Sequence, residues 1–392
     1  MRRRLCALLL PALLLAGAAG AAPFVPKQDD EVVERLPARG GAEARRQRMA
    51  LARDPRQLPL ALASAQAALQ RARRDGDPRE LGAAQAALAP WWTQADAPPA
   101  VRLLRATLRQ SAHEFDAALA DLEALVNDPR LPPGLAAQAG LTRAAVLQVG
   151  GRLAEADAAC AALLAPRFAA LGAALSLPAL ACRAELRSLR GDAAGAAQQL
   201  DTLQRQAPQD RWLALLRAEA AQRRGDAATA ETAFRLATAA DADVYAIGAF
   251  ADWLLEQGRA HDALALLRQR GGDADALLLR EAIARRRLGD TQATALRDRL
   301  AARFAAAHLR GGSLHLREEA RLALELDGDA AAAWRLARRN WQLQREVADA
   351  VLLARAARAA GQPEAAAMLR AWLDDPAAAD QRLARLLAGA AA

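Results

Sequence analysis

Small apolar residues recur along this 392-residue chain at two fixed distances from a turn. In the stretch RRGDAATAETAF (223–234) the turn residue is Gly225. Gly76, Gly151, Gly191, Gly258, Gly289, Gly328 and Gly361 stand in similar contexts, and His113 fills one slot without a glycine. The intervals between these nine positions are 37, 38, 40, 34, 33, 31, 39 and 33 residues. Seven residues before the turn stand Ala106, Ala144, Ala184, Ala218, Ala251, Ala282 and Ala354. Five residues after it stand Ala118, Ala156, Ala196, Ala230, Ala263, Ala333 and Ala366. A period in the thirties predicts a solenoid with two helices per unit. Small residues on both sides of the turn predict that the two helices cross closely there, where larger side chains would hold them apart.

The turn chemistry agrees. Glycine tolerates the left-handed conformation that closes a helix. Asp192, Asp226, Asp290 and Asp329 follow it and can cap the second helix. In GDP (76–78) and GQP (361–363) proline falls at the first helical position, where its missing N–H costs nothing. Pro129, Pro166 and Pro208 mark the ends of second helices. The pattern is broken in places. Arg321 and Thr294 occupy small-residue slots, as do Leu69 and Leu81 in the first unit, and the long intervals after 151 and 289 imply inserted residues, RFAALGAALS and HLRGGS.

These features resemble the tetratricopeptide repeat. The matching marks are the near-34-residue period, a small residue in each helix, the Gly-Asp turn, and a bulky residue four after the second alanine: Leu122, Cys160, Leu200, Phe234 and Leu267. The clearest unit is DVYAIGAFADWLLEQGRAHDALALLRQ, with Ile247, Phe250, Ala251 and Leu254 on packing positions. The aromatic residue expected at the fourth position of the first helix is mostly missing. The resemblance covers residues 58–375. It implies an all-α, TPR-like helix-turn-helix solenoid, a right-handed superhelix of about nine units, whose concave groove is lined mainly by first helices. Such grooves bind peptides or partner proteins, so it implies a non-enzymatic scaffold or adaptor. A second reading is a structural or assembly component of an envelope or polysaccharide export machinery. Ahead of the array, residues 22–57 read as an irregular segment followed by a capping helix over 42–53. Residues 376–392 read as a C-terminal helix or tail.

Composition supports helix over sheet: Ala and Leu dominate, β-branched residues are few, and aromatics are 4%. The N-terminus has the layout of a secretory signal over 1–21. MRRR is followed by the apolar LCALLLPALLLAGAAG, with Ala19 and Ala21 as the small pair before the cut. Export across the inner membrane of a bacterium, to the periplasm, is the expectation. An uncleaved N-terminal anchor is the alternative, although the apolar stretch is short for a full span. The formal charge is +8. It comes almost entirely from arginines spread along helices, with Lys27 the single lysine found. A dispersed excess without base-stacking or groove-reading elements excludes nucleic acid as the expected partner.

Catalytic motifs are absent: the sequence contains no G-x-G-x-x-G, G-x-x-x-x-G-K, H-E-x-x-H or C-x-x-C. The four histidines, His113, His261, His308 and His315, form no metal-ligand spacing on one helical face. No enzyme activity, metal or cofactor is expected. Cys160 and Cys182 fall on antiparallel neighbouring helices, at similar distances from the loop between them, and can pair as a disulfide after export. Two buried small apolar residues are the alternative. The most distinctive stretch is 313–353, with the candidate partner-binding residues His315, Glu318, Arg321, Trp334, Arg338, Trp341 and Arg345, since Trp and Arg dominate interface hot spots. The competing reading is that the tryptophans pack against the next unit while Arg and Glu pair across the hairpin. Of the adjacent Trp91 and Trp92, at most one can be core.

Overall fold

The computed structural model describes residues 28, 41–270, 273–309 and 315–388. The proposed signal peptide and most of the irregular segment after it lie outside the described residues. A single helix, α1 (Ala42–Arg53), precedes the array. Nine helical hairpins follow, each closed by one of the nine turn positions. They are α2 (Leu58–Asp75) with α3 (Pro78–Ala87), α4 (Pro99–Ser111) with α5 (Phe115–Val126), and α6 (Pro133–Val149) with α7 (Leu153–Ala162). Next come α8 (Ala173–Leu189) with α9 (Ala193–Gln206), α10 (Arg211–Arg224) with α11 (Ala227–Ala237), and α12 (Val244–Glu256) with α13 (Ala260–Arg270). The last three are α14 (Asp275–Arg287) with α15 (Gln292–Leu309), α16 (Leu316–Leu322) with α17 (Ala330–Leu343), and α18 (Val347–Ala360) with α19 (Glu364–Arg370). Two short helices, α20 (Pro376–Ala379) and α21 (Gln381–Ala388), end the chain. No strand occurs among the described residues.

All nine turn residues have positive φ, from +60° at His113 to +95° at Gly191. His113 therefore accepts a conformation that glycine adopts at lower cost. Asp192, Asp226, Asp290 and Asp329 each accept a backbone N–H of the following helix at 2.9–3.1 Å, satisfying donors that a helix start leaves free. Both alanine columns are buried through the middle of the array, from Ala106 and Ala118 to Ala251 and Ala263. The register departs by one residue in three places. In the second helices of the hairpins at Gly289 and Gly361, Ala293 and Ala365 take the buried small slot, and Thr294 and Ala366 do not. In α16 the buried residue is Ala320. A π-helical turn, Ala323–Asp327, adds one residue before Gly328 and moves Arg321 off the helix crossing. The inserted stretch after α7 forms a 3₁₀ segment, Pro166–Leu171, which buries Phe168.

Cys160 on α7 and Cys182 on α8 are disulfide-bonded, with their Cα atoms 6.3 Å apart. The link ties the third hairpin to the fourth.

The array winds tightly enough for its edges to meet. The turn of the first hairpin, at Gly76, lies against Val244 and Ala274, at the starts of α12 and α14. The turn of the third, at Gly151, lies against Arg345 and Trp372, and that of the fifth, at Gly225, against Gln381. Arg382 on α21 reaches Glu256 on α12 at 2.9 Å, and Leu383 is buried in the core shared with α18. The C-terminal residues 376–388 are thus a packed part of the array. No described helix is long and apolar enough to cross a membrane.

Candidate functional site

The first helices converge on one lumen. Residues of α2, α6, α8, α10, α12, α14, α16 and α18 line a cavity of about 410 Å³, together with the π turn, Trp372 and Arg382. No second helix of a hairpin contributes a lining residue among those described. Helical spacing explains the selection. Glu219, Gln222 and Arg223 share one face of α10, as do Tyr245, Gly248, Ala249 and Asp252 on α12, because residues three and four apart are neighbours on a helix.

The wall is strongly charged and largely paired. Asp252 binds Arg280 at 2.5 Å and Arg321 at 2.9 Å. Arg321 continues to Glu325 at 3.2 Å, and Glu325 also meets Arg287 at 3.1 Å and Arg355 at 3.3 Å. Burial alone would raise the Glu325 carboxyl, but Arg321, Arg355 and Arg287 outweigh it and hold it at about 2. Burial opposes ionisation of Asp252 too, and Arg280 and Arg321 still keep it below the usual carboxylate value. Arg317 pairs with Asp349 at 2.6 Å and with Glu346. Arg382 joins Glu256 to the fully buried Asp380.

One part of the wall behaves differently. Glu219 accepts the Tyr245 hydroxyl at 2.9 Å, and burial followed by the nearby Glu185 pushes its carboxyl up to about 7. Burial also raises Glu185. Tyr245 is held well above its usual value, first by Glu219 and then by burial. The residue is 54% exposed, and it lines the cavity and bonds to Glu219 there.

The structure separates the residues singled out in 313–353. Glu318, Arg321 and Arg345 line the lumen. Trp334 and Trp341 belong to the core at 8% and 4% exposure, with Trp341 edge-on to Trp372 at 5.1 Å. Their rings present no free face to a partner. Arg338 lies over Trp334 on the exposed side of α17, and His315 stacks on Phe304 at 5.4 Å, outside the lumen. The motif therefore joins two environments, because Trp334, Arg338 and Trp341 sit on a second helix and Glu318 and Arg321 on a first. Trp91 is buried, whereas Trp92 is partly exposed beneath Arg109.

Apart from Glu318, the lumen carboxylates are not among the residues singled out from the sequence, although a signal exists. The residue directly after the small one in the first helix is Glu185, Glu219, Asp252, Arg321 and Arg355 in five of hairpins four to nine. A charged residue there points into the lumen, beside the close helix crossing.

Nine helical hairpins stacked side by side, with left-handed turns and small residues at each crossing, define a tetratricopeptide-like solenoid. No protein-family model matches the chain, and no curated protein matches its sequence. Among solved structures, a tetratricopeptide repeat protein from Parabacteroides merdae ATCC 43184 aligns with 65% of this chain and 97% of its own, at 14% identity and a TM-score of 0.38. A chain of the crystal structure of the APC/C hetero-tetramer Cut9–Hcn1 aligns over 88% of this chain and 92% of its own length, at 14% identity and a TM-score of 0.26.

Proposed function

We propose that this chain is a non-enzymatic scaffold that holds a segment of a partner protein in its lumen, in the bacterial periplasm. The observation that carries the reading is the convergence of eight first helices on a single charged cavity that their partner helices do not reach. The N-terminal layout supports export, and the Cys160–Cys182 bond suits an oxidising compartment. The paired arginines and carboxylates have structural partners already, so they favour recognition over proton transfer. Assembly within an envelope or polysaccharide export machinery is the second reading; the dense contacts between distant hairpins favour it, since they make a stiff spacer.

Site-specific photo-crosslinking tests the first reading. A crosslinker replacing Tyr245 should give an adduct with one partner polypeptide, mapped by mass spectrometry to a short segment. The same crosslinker at the exposed Trp212 should not. Adducts from position 212 alone would place the partner outside the lumen and sink the proposal. The mass of the mature chain checks cleavage after Ala21.

A further inference from the structure

Seven carboxylates line the lumen. Asp252, Glu256, Glu325 and Glu346 each take an arginine partner. Glu185 and Glu219 form no ion pair among the described residues, although they stand one hairpin apart on α8 and α10, in the same place relative to their turns. Gln148 of α6 donates to Glu185, and Tyr245 donates to Glu219. The cation between them, Arg223, is held elsewhere: its Nε and Nη2 both donate to Ser188 Oγ at 3.3 Å. The lumen thus contains two carboxylates without an ion pair among the described residues, next to a tyrosine that is half exposed.

We infer that this wall, formed by Glu185, Glu219 and the ring of Tyr245, receives an arginine or lysine side chain of the polypeptide that occupies the lumen. The inference rests on the reading of the lumen as the partner site. Carboxylates withdrawn from bulk water are costly unless paired. An entering cation removes that cost with charge-assisted hydrogen bonds, and the ring face adds a cation–π contact. Of the other five lumen carboxylates, four are already bound to arginines, and the fifth, Glu318, lacks the hydrogen-bonded tyrosine ring that Glu219 has. Until the ligand arrives, burial and the neighbouring Glu185 favour the protonated form of Glu219. The charged and titratable groups facing Glu219 are Glu185 from α8, Arg223 on α10, Tyr245 from α12 and Glu346 at the start of α18. A bound cation favours ionised Glu219, so binding releases protons below pH 7 and strengthens as pH rises from 6 to 8.

Tyr245 is the only tyrosine in the chain, so ring-¹³C-tyrosine places one NMR reporter in the lumen. The probes are blocked alanine pentapeptides with a central arginine, citrulline or glutamate, and spermidine. The arginine peptide should shift the Tyr245 signal, with the citrulline peptide binding about tenfold more weakly, as expected for loss of a charged hydrogen bond. The Glu185→Gln/Glu219→Gln variant should lose the preference for arginine and the rise between pH 6 and 8. Circular dichroism should show it folded, because the substitutions remove unpaired charge. Equal shifts from citrulline or glutamate peptides would overturn cationic recognition and leave the lumen standing as a peptide site. No shift from any peptide up to about 10 mM, beyond the millimolar range of weak binding, would overturn both. A shift from spermidine without one from the arginine peptide would overturn the polypeptide source.

Discussion

The backbone N–H of Arg345 donates to the carbonyl oxygen of Val149 at 2.7 Å, joining the end of α6 to the start of the ninth hairpin. Gly151 sits directly beneath. A Cβ there would lie 2.8 Å from Arg345 Cδ and 3.1 Å from Trp372 Nε1. Gly151 therefore serves two purposes, a left-handed turn and an edge on which a distant coil of the array rests.

This dual role separates two substitutions. Gly289 has the same left-handed φ, +71° against +79°, but no atom lies within 4 Å of its missing Cβ. Gly289→Ala should cost about 1 kcal/mol, the backbone penalty alone. Gly151→Ala should cost about 1–3 kcal/mol more through overpacking. Urea titration of both variants checks this; equal losses would mean that the coils do not touch in solution.

Arg321 stands between Asp252 and Glu325, with its side chain 12% exposed. Arg321→Ala leaves buried carboxylates short of a partner and should cost about 3 kcal/mol. Arg338→Ala, on the exposed side of α17, should cost well under about 1 kcal/mol. Thermal denaturation of the two variants distinguishes them.

Stability should respond to pH in opposite senses through two lumen carboxylates. Glu219 has a folded value of about 7, raised from 4.5. Its contribution is fully present below 4.5 and is lost as pH rises through 7. Glu219→Gln should remove that loss and leave the variant more stable than the parent at pH 8, by about 1 kcal/mol once screening by water in the lumen is allowed for. Glu325 is depressed to about 2 from 4.5. Its contribution is present above 4.5 and is lost as pH falls towards 2. Melting temperatures from pH 3 to 9 for the parent and the two Glu→Gln variants give the measurement.

The Cys160–Cys182 bond closes a loop with a sequence separation of 22 residues. Loop-closure entropy assigns it about 3 kcal/mol. Free thiols from this pair should appear only after reduction and unfolding, and the double Cys→Ala variant should show a matching loss in denaturant. Thiols titrating in the oxidised, unfolded protein would contradict the bond.

Removing residues 376–388 takes away Arg382 and the buried Leu383. The truncated chain should exchange amide hydrogens faster in α10, α12 and α18 and stay protected in α4–α7, which share no extensive contact with α20 or α21. Uniform loosening would make the C-terminus a general stabiliser instead of a closure.

The periodic text of the chain was enough to define the hairpins. A left-handed turn needs glycine or a tolerant substitute, and a close crossing needs alanine; both are local demands, written at fixed spacing around Gly225 and its equivalents. His113 could be assigned to its slot without a glycine for the same reason. The one-residue shifts at Ala293, Ala320 and Ala365 were not legible, because a π turn or an altered helix start is selected by packing on the neighbouring hairpin. The site was legible only in part. Glu318, Arg321 and Arg345 were singled out and do face the lumen, but Trp334 and Trp341, chosen for their chemistry, are core. Glu185, Glu219 and Tyr245 stand in ordinary repeat text far apart along the chain, and their sequence neighbours do not reveal the lumen. Burial and mutual repulsion raise Glu219 only once α8, α10 and α12 are stacked. Local propensity acts within a hairpin and could be read residue by residue, whereas the lumen and the contact of Gly151 with Arg345 arise from the winding of the whole array, which tertiary structure alone decides.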